Sequence, residues 1–170
     1  MKENRYLKLT EFAKELLSKH SLEEGMPHIS KYVKDVIDAE RCSIFIYDEK
    51  RGELWTTLAD GIDKIHIPAD KGIVGHTVAI KKPIFTNDAY SHEAFLAEVD
   101  EQTGYKTDNL ITAPIFDSNR KIIGVLELLN KKGGFDSEDV KFMIFFAHYV
   151  SGFLELLNTY MKKEDSNEKI

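Results

Sequence analysis

The sequence holds a single cysteine, Cys42, in 170 residues. That excludes an internal disulfide framework and a Cys-rich metal site, and it fits a reducing compartment. A basic excess is also missing, since 23 lysines and arginines stand against 29 aspartates and glutamates, a formal charge of −6. No basic run with interleaved aromatics occurs, so nucleic acid and anionic membrane are poor candidate partners. Neither a signal peptide nor an apolar run of about 18 residues is found, and the expectation is a soluble, cytoplasmic chain. One domain of this length buries about two thirds of its unfolded surface, so no cofactor is required to hold it together.

What the sequence does contain is a carboxylate in an apolar strand and a polar, glycine-centred segment to cover it. Alternation places Ile123, Val125, Glu127 and Leu129 on one face of a strand, so Glu127 points where its neighbours are apolar. A buried carboxylate is costly without a partner. The segment Asp100-Glu-Gln-Thr-Gly-Tyr-Lys-Thr107 offers hydroxyls and a carboxylate around Gly104, where the backbone can turn and approach something closely. Together they read as the floor and lid of a small-molecule pocket.

In chain order, Leu9, Phe12 and Leu16 mark an amphipathic helix over residues 5–19. Ser21 and Glu24 have capping-box spacing for a second helix, although Gly25 and Pro27 argue for a start nearer His28. Its apolar positions Ile29, Val33, Val36 and Ile37 share a face. From Arg41 the period becomes two. Cys42–Tyr47 and the stretch from Glu53 form a hairpin across Asp48–Gly52, with both faces of the first strand apolar. A short strand, Lys64–Ile67, stops at Pro68. Gly72–Ile80 is a glycine-led helix ending near Lys81-Lys82-Pro83, its first amides free to meet an anion. Residues 84–108 form a long connection with one helix around His92–Val99, of the kind used for lids. Strands Asn109–Phe116 and Lys121–Asn130 make a second hairpin. The last helix runs from about Ser137 to Lys163, with Met143, Ala147, Val150, Leu154, Leu157 and Met161 as a heptad seam widened by Phe142, Phe146, Tyr149 and Phe153. Residues 164–170 are a polar tail, expected to fray.

Four motifs in this order resemble those of the GAF domains, and among them the cyclic-nucleotide-binding GAF domains of phosphodiesterases and adenylate cyclases. They are Arg41-Cys-Ser-Ile-Phe, Ile67-Pro-Ala-Asp-Lys-Gly-Ile-Val-Gly75, the Asp100–Thr107 segment, and Gly124-Val-Leu-Glu-Leu-Leu-Asn-Lys131. The resemblance spans roughly Leu22 to Leu157. The family's Asn-Lys-gap-Phe-three-Asp-Glu signature is matched by Asn130, Lys131, Phe135 and Asp139, with Val140 in place of its final glutamate. It implies an α+β fold, an α/β sandwich: a central antiparallel sheet of about six strands, N- and C-terminal helices on one face, and a ligand pocket on the other. The organisation expected is an N-terminal helix over 1–20, a GAF domain over 21–163 including the long last helix, and the tail 164–170.

Carried over position by position, the resemblance implies that Ser43 and Glu127 address a base, with Ala59 and Asp60 beside it. The amides of Ile73 and Val74 would face a cyclic phosphate, and Asp100, Thr103 and Thr107 would close over ribose and phosphate. Asn130, Lys131, Phe135 and Asp139 would form a structural lock between the lid and the last helix, through a Lys–Asp pair. Plainer readings stand beside these. Ser43 is also an ordinary strand serine, and Asp60 before Gly61 is a turn signal. Asp100, Thr103 and Thr107 equally suit helix capping and loop satisfaction, and Glu127 suits a salt bridge to a lysine. His66, His76 and His92 lack ligand-like spacing with one another or with Cys42, so no metal is expected.

Three functions compete. The first is a regulatory module that binds cAMP or cGMP and signals through its terminal helices, as a homodimer, to an output domain such as a cyclase, phosphodiesterase or kinase. The second is a dimerisation module without nucleotide binding, or a sensor of another small ligand. The third is methionine sulfoxide reduction, known for some proteins of this fold; it needs several cysteines where only Cys42 is present, so the chain is not expected to be an enzyme. A bilin-binding photoreceptor is disfavoured by the lack of a Cys-His attachment dipeptide.

Overall fold

The period-two stretches of the sequence become the strands of one sheet, and the amphipathic stretches become the helices that cover it. A computed structural model describes the backbone of residues 2–59 and 65–167, with side chains described in those stretches except at 2, 3, 22, 23, 57–59 and 157–167. The strands are β1 (Ala39–Asp48), β2 (Glu53–Ala59), β3 (His66–Pro68), β4 (Ile84–Thr86), β5 (Leu110–Phe116) and β6 (Ile122–Lys131). They form a six-stranded sheet in the order β3-β2-β1-β6-β5-β4, and each neighbouring pair is antiparallel. The helices are α1 (Lys2–Leu16), α2 (Leu22–Ile37), α3 (Gly72–Ile80), α4 (Ala97–Thr103) and α5 (Ser137–Asn167).

Strand alternation divides the apolar residues between two layers. Cys42 and Ile44 of β1, Ile111, Ala113 and Ile115 of β5, and Leu126 and Leu128 of β6 face α1, α2 and α5. There they meet Leu9 and Phe12 of α1, Ile29 and Val33 of α2, and Met143, Phe146 and Val150 of α5 in one continuous core. Burial of each such side chain stabilises the fold by about 1.5–3 kcal/mol relative to exposure. The other face of the same strands packs under α3, with Phe45 and Val125 against Val74 and Val78, and Leu110 against Ile73. The terminal helices thus lie on one face and the cavity described below on the other.

Several local expectations need correction. Helix α2 starts at Leu22, capped by Ser21 Oγ, which accepts from Glu24 N–H at 3.2 Å; Pro27 lies inside the helix and does not delay it to His28. Strand β4, Ile84–Thr86, lies within the stretch read as a long connection and pairs antiparallel with β5. The helix expected around His92–Val99 is instead Ala97–Thr103. Ile123 leaves the face of Glu127, because a register shift between Ile115 and Phe116 lets Ile123 pack with the helix-side core while Ile122 takes the cavity side. Helix α5 continues to Asn167, past the expected end at Lys163 and into the stretch read as a tail.

The α5 seam also turns out to serve its own sheet. Met143, Ala147 and Val150 are buried in the helix-side core, with Leu154 packed against it. The exposed apolar residues of the helix are Ile144, Phe145, Tyr149 and Leu156. Leu157 and Met161 fall where side chains are not described.

Candidate ligand-binding site

Between α3, α4 and the cavity face of the sheet lies a partly open cavity of about 80 Å³. Ser43, Ile73, Val74, Asp100, Thr103, Thr107 and Glu127 all line it. Asp60 lies outside the described residues, as does the side chain of Ala59, whose backbone pairs with Ser43. Asn130, Lys131, Phe135 and Asp139 stand apart from the cavity, at the end of β6 and the entry to α5.

The floor is built by register. Glu127 sits opposite Ser43 on β1 and opposite Thr112 on β5. The Thr112 hydroxyl is engaged, 2.7 Å from the Thr77 hydroxyl, which donates to Ile73 O at 2.8 Å. Among the described residues neither the Ser43 hydroxyl nor the Glu127 carboxyl has a hydrogen-bond or ion-pair partner, so the lysine bridge proposed as the plainer role of Glu127 is not made. Burial, with the Asp100 carboxylate as a second cause, pushes the Glu127 carboxyl up from 4.5 to about 7. Without a partner the charged form is disfavoured, and the group is poised between donor and acceptor near neutrality.

One wall is the first turn of α3. The opening amides of a helix have no intrahelical acceptor, and Ile73 and Val74 of this turn line the cavity. Gly75 lets this turn pack against the segment before it: a Cβ there would lie 2.7 Å from Ala69 O.

The lid is tied to itself. Asp100, buried on α4, accepts from Thr107 N–H at 2.7 Å and from the Tyr90 hydroxyl at 2.7 Å through Oδ2, and from the Thr107 hydroxyl at 2.9 Å through Oδ1. Gly104, at φ +71°, ends α4 in the left-handed conformation that lets the chain double back. The Thr103 hydroxyl donates to Val99 O at 2.9 Å. These bonds match the plainer reading of Asp100, Thr103 and Thr107 as groups that satisfy their own loop.

Beyond Thr107 the lid is fastened to β6. Asn130 Nδ2 donates to the Tyr105 hydroxyl and to Lys106 O, both at 2.8 Å, while its Oδ1 accepts from Asp108 N–H at 2.7 Å. The next residue, Lys131, reaches the buried Asp139 of α5 at 2.5 Å. Arg5 of α1 lies 3.8 Å from the other Asp139 oxygen. Phe135 is buried in the helix-side core, and Val140 packs against it where the signature has glutamate.

Sequence reasoning did not name Arg41, Tyr105, Phe95 or Leu96 as site residues, yet each lines the cavity. Arg41 was legible, being two residues before Ser43 on the same strand face. Phe95 and Leu96 come from an irregular segment with no periodicity to announce them. The fold also brings His76 and His92 together, with ring centroids 6.4 Å apart. Among the described residues no cluster of three or more His, Cys, Asp or Glu side chains is arranged for a metal, and no helix is long and apolar enough to cross a membrane. Cys42 is buried on the helix side of the sheet, away from the cavity.

Fold and site define a sensor-type α/β domain with a lidded cavity, and the comparisons give its family. A model of the GAF domain family matches residues 21–154. The chain therefore belongs to the GAF domain family and is a regulatory sensor domain of that kind. It is 27% identical over 164 residues to the probable 3',5'-cyclic phosphodiesterase pde-5 of Caenorhabditis elegans, covering 88% of this chain and 22% of that protein. The chain thus spans about a fifth of that relative's length, the 22% just given. Two similar solved structures share the fold. The GAF domain of a phosphoenolpyruvate-protein phosphotransferase from Coxiella burnetii has a TM-score of 0.84 at 19% identity, covering 94% of this chain and 98% of that one. A free methionine-R-sulfoxide reductase from Neisseria meningitidis, in complex with its substrate, has a TM-score of 0.77 at 18% identity, covering 89% of each chain.

Proposed function

We propose that this GAF domain binds a cyclic nucleotide, cAMP or cGMP, in the cavity and passes occupancy through its terminal helices to an output domain. The observation that carries the reading is the floor: Ser43 and Glu127 face each other across β1 and β6 with polar groups that no described residue satisfies. A base edge rich in donors and acceptors is the ligand chemistry that such a pair addresses. The helix start at Ile73 and Val74 suits the phosphate. The phosphodiesterase relative supports the same ligand class. The proposed action is binding rather than catalysis, supported by Cys42 being buried away from the cavity.

The space of about 80 Å³ is well below the roughly 300 Å³ at which pockets for such ligands begin. A nucleotide therefore enters only with the lid displaced, and binding shifts the lid between two arrangements. Asn130 holds the lid, the adjoining Lys131 pairs with Asp139, and Asp139 lies near Arg5, which offers a route from lid to α5 and α1. In a dimer those helices would carry the change to an output domain such as a cyclase, phosphodiesterase or kinase.

Isothermal titration with cAMP and with cGMP tests the reading. Glu127→Ala and Thr107→Ala are expected to weaken binding while each variant keeps its cooperative unfolding transition. Unchanged affinity in both would remove the proposed pocket. The second reading, a sensor of another small ligand or a dimerisation module, is favoured by the small cavity and by the mutual engagement of Asp100 and Thr107. A folded protein that binds neither nucleotide would select it.

A further inference from the structure

We propose that Arg41 is the anion-contacting residue of the cavity, so that the site selects a ligand carrying a phosphate or comparable anionic group over its neutral counterpart. The inference rests on the reading of the cavity as a ligand site and adds a determinant that the resemblance does not assign. Arg41 is the only lysine or arginine among the described residues lining the cavity. Its guanidinium carbon lies 3.6 Å from the centre of the Tyr105 ring, well inside the range of a cation–π contact. A guanidinium has five N–H donors and no acceptor, and among the described residues those of Arg41 meet neither a carboxylate nor a hydrogen-bond acceptor. Among the described residues the nearby acids form no ion pair with it: Asp100 accepts from Thr107 and Tyr90, and Glu40 accepts from the Tyr105 hydroxyl at 2.8 Å.

Position supports the same assignment. Leu129, the cross-strand partner of Arg41, packs into the apolar cluster that contains Ile73. Arg41 and the first turn of α3 thus line one cavity, where an anion would meet a fixed charge as well as helix-start amides. The ring of Tyr105 is what Arg41 holds while the lid is closed. When the lid moves, the planar donor fork is free for a phosphate, which it fits bidentately and which an ammonium meets only as a point charge.

The test is titration of wild-type protein, Arg41→Met and Arg41→Lys with cAMP, cGMP, adenosine and guanosine, each variant first checked for cooperative unfolding. The wild type is expected to prefer the cyclic nucleotide over its nucleoside. In Arg41→Met affinity for the cyclic nucleotide should fall roughly ten- to hundredfold with nucleoside affinity unchanged, and Arg41→Lys should recover part of the loss. Equal losses for charged and neutral ligands would overturn the proposal and leave Arg41 a support for Tyr105. If nucleoside binding is too weak to measure, the lysine variant decides, since a loss as large as that in methionine also overturns it. Absence of cyclic-nucleotide binding by the wild type is a separate failure, that of the sensor reading. Arg41 is then judged by the ¹⁵N resonance of its Nε during titration with inorganic phosphate: saturable movement supports the assignment and an unmoved resonance overturns it.

Discussion

The two faces of the sheet are made by the same strands, yet they differ in whether inward-pointing groups find partners. On β1, Cys42 and Ile44 join the helix-side core while Ser43 between them faces the cavity; on β6, Leu126 and Leu128 do the same around Glu127. The helix side is closed and apolar, with Phe12 stacked on Tyr32 at 4.3 Å and near Phe146 at 5.2 Å. The cavity side keeps a half-buried carboxyl, a serine hydroxyl and a guanidinium available. Dense packing in one layer stabilises a fold whose other layer lines a cavity with polar groups, and polar groups gathered at a cavity mark functional sites.

If the stability of the domain resides in the helix-side layer, the largest loss should come from there. Phe146, fully buried among Phe12, Tyr32 and Phe142, is the sharpest place to ask. Phe146→Ala is expected to destabilise by about 3–5 kcal/mol through lost contacts and the cavity left behind. Urea unfolding should show a lower midpoint with an unchanged slope. A loss no larger than that from truncating a cavity-side residue would break the comparison.

The cavity side should instead gain when its unpartnered acid is removed. The Glu127 carboxyl titrates near 7 in the folded chain against its ordinary 4.5. Between those values the folded state holds a proton that the unfolded state has released, so stability falls as pH rises. The contribution is fully present below about 4.5 and is lost as pH passes through about 7. The size is on the order of 3 kcal/mol. Glu127→Gln lacks this dependence. Subtracting its stability curve from that of wild type over about pH 5 to 8 should leave a negative slope, and a flat difference would show that Glu127 is solvated or paired.

Much of this contrast was legible in the sequence because period two is a strong signal. It placed Glu127 on the face of Val125 and Leu129, whereas Ser43 came from the family resemblance, and the same alternation applied to β1 would have added Arg41. The same rule failed at Ile123, where a bulge opposite β5 inverts the alternation, since a register shift is set by the partner strand. Strand β4 is three residues long and exists by pairing with β5, too short to leave a pattern. The helix expected around His92–Val99 begins only at Ala97, and Ala94, Phe95 and Leu96 before it pack on the clusters around Ile73 and Val74. The α5 seam read equally well as a partner-seeking or a sheet-packing face. Periodicity identifies an apolar stripe and leaves its occupant to the tertiary fold.

The smallest expected effect lies at the border between the two regions. Tyr105 lines the cavity, and its hydroxyl donates to Glu40 Oε2 at 2.8 Å and accepts from Asn130 Nδ2 at 2.8 Å. Burial and the neighbouring Glu40 carboxylate push the phenol up, so it remains a neutral donor at any physiological pH. Tyr105→Phe keeps the ring under Arg41 and removes only these bonds, a change of about 1 kcal/mol. If the lid opens without the core, that energy should appear locally, as roughly fivefold faster amide exchange over residues 105–109 with little change in global unfolding. Faster exchange spread evenly into the helix-side strands would mean that lid and core open as one unit, and that the two faces are not separable in energy as they are in structure.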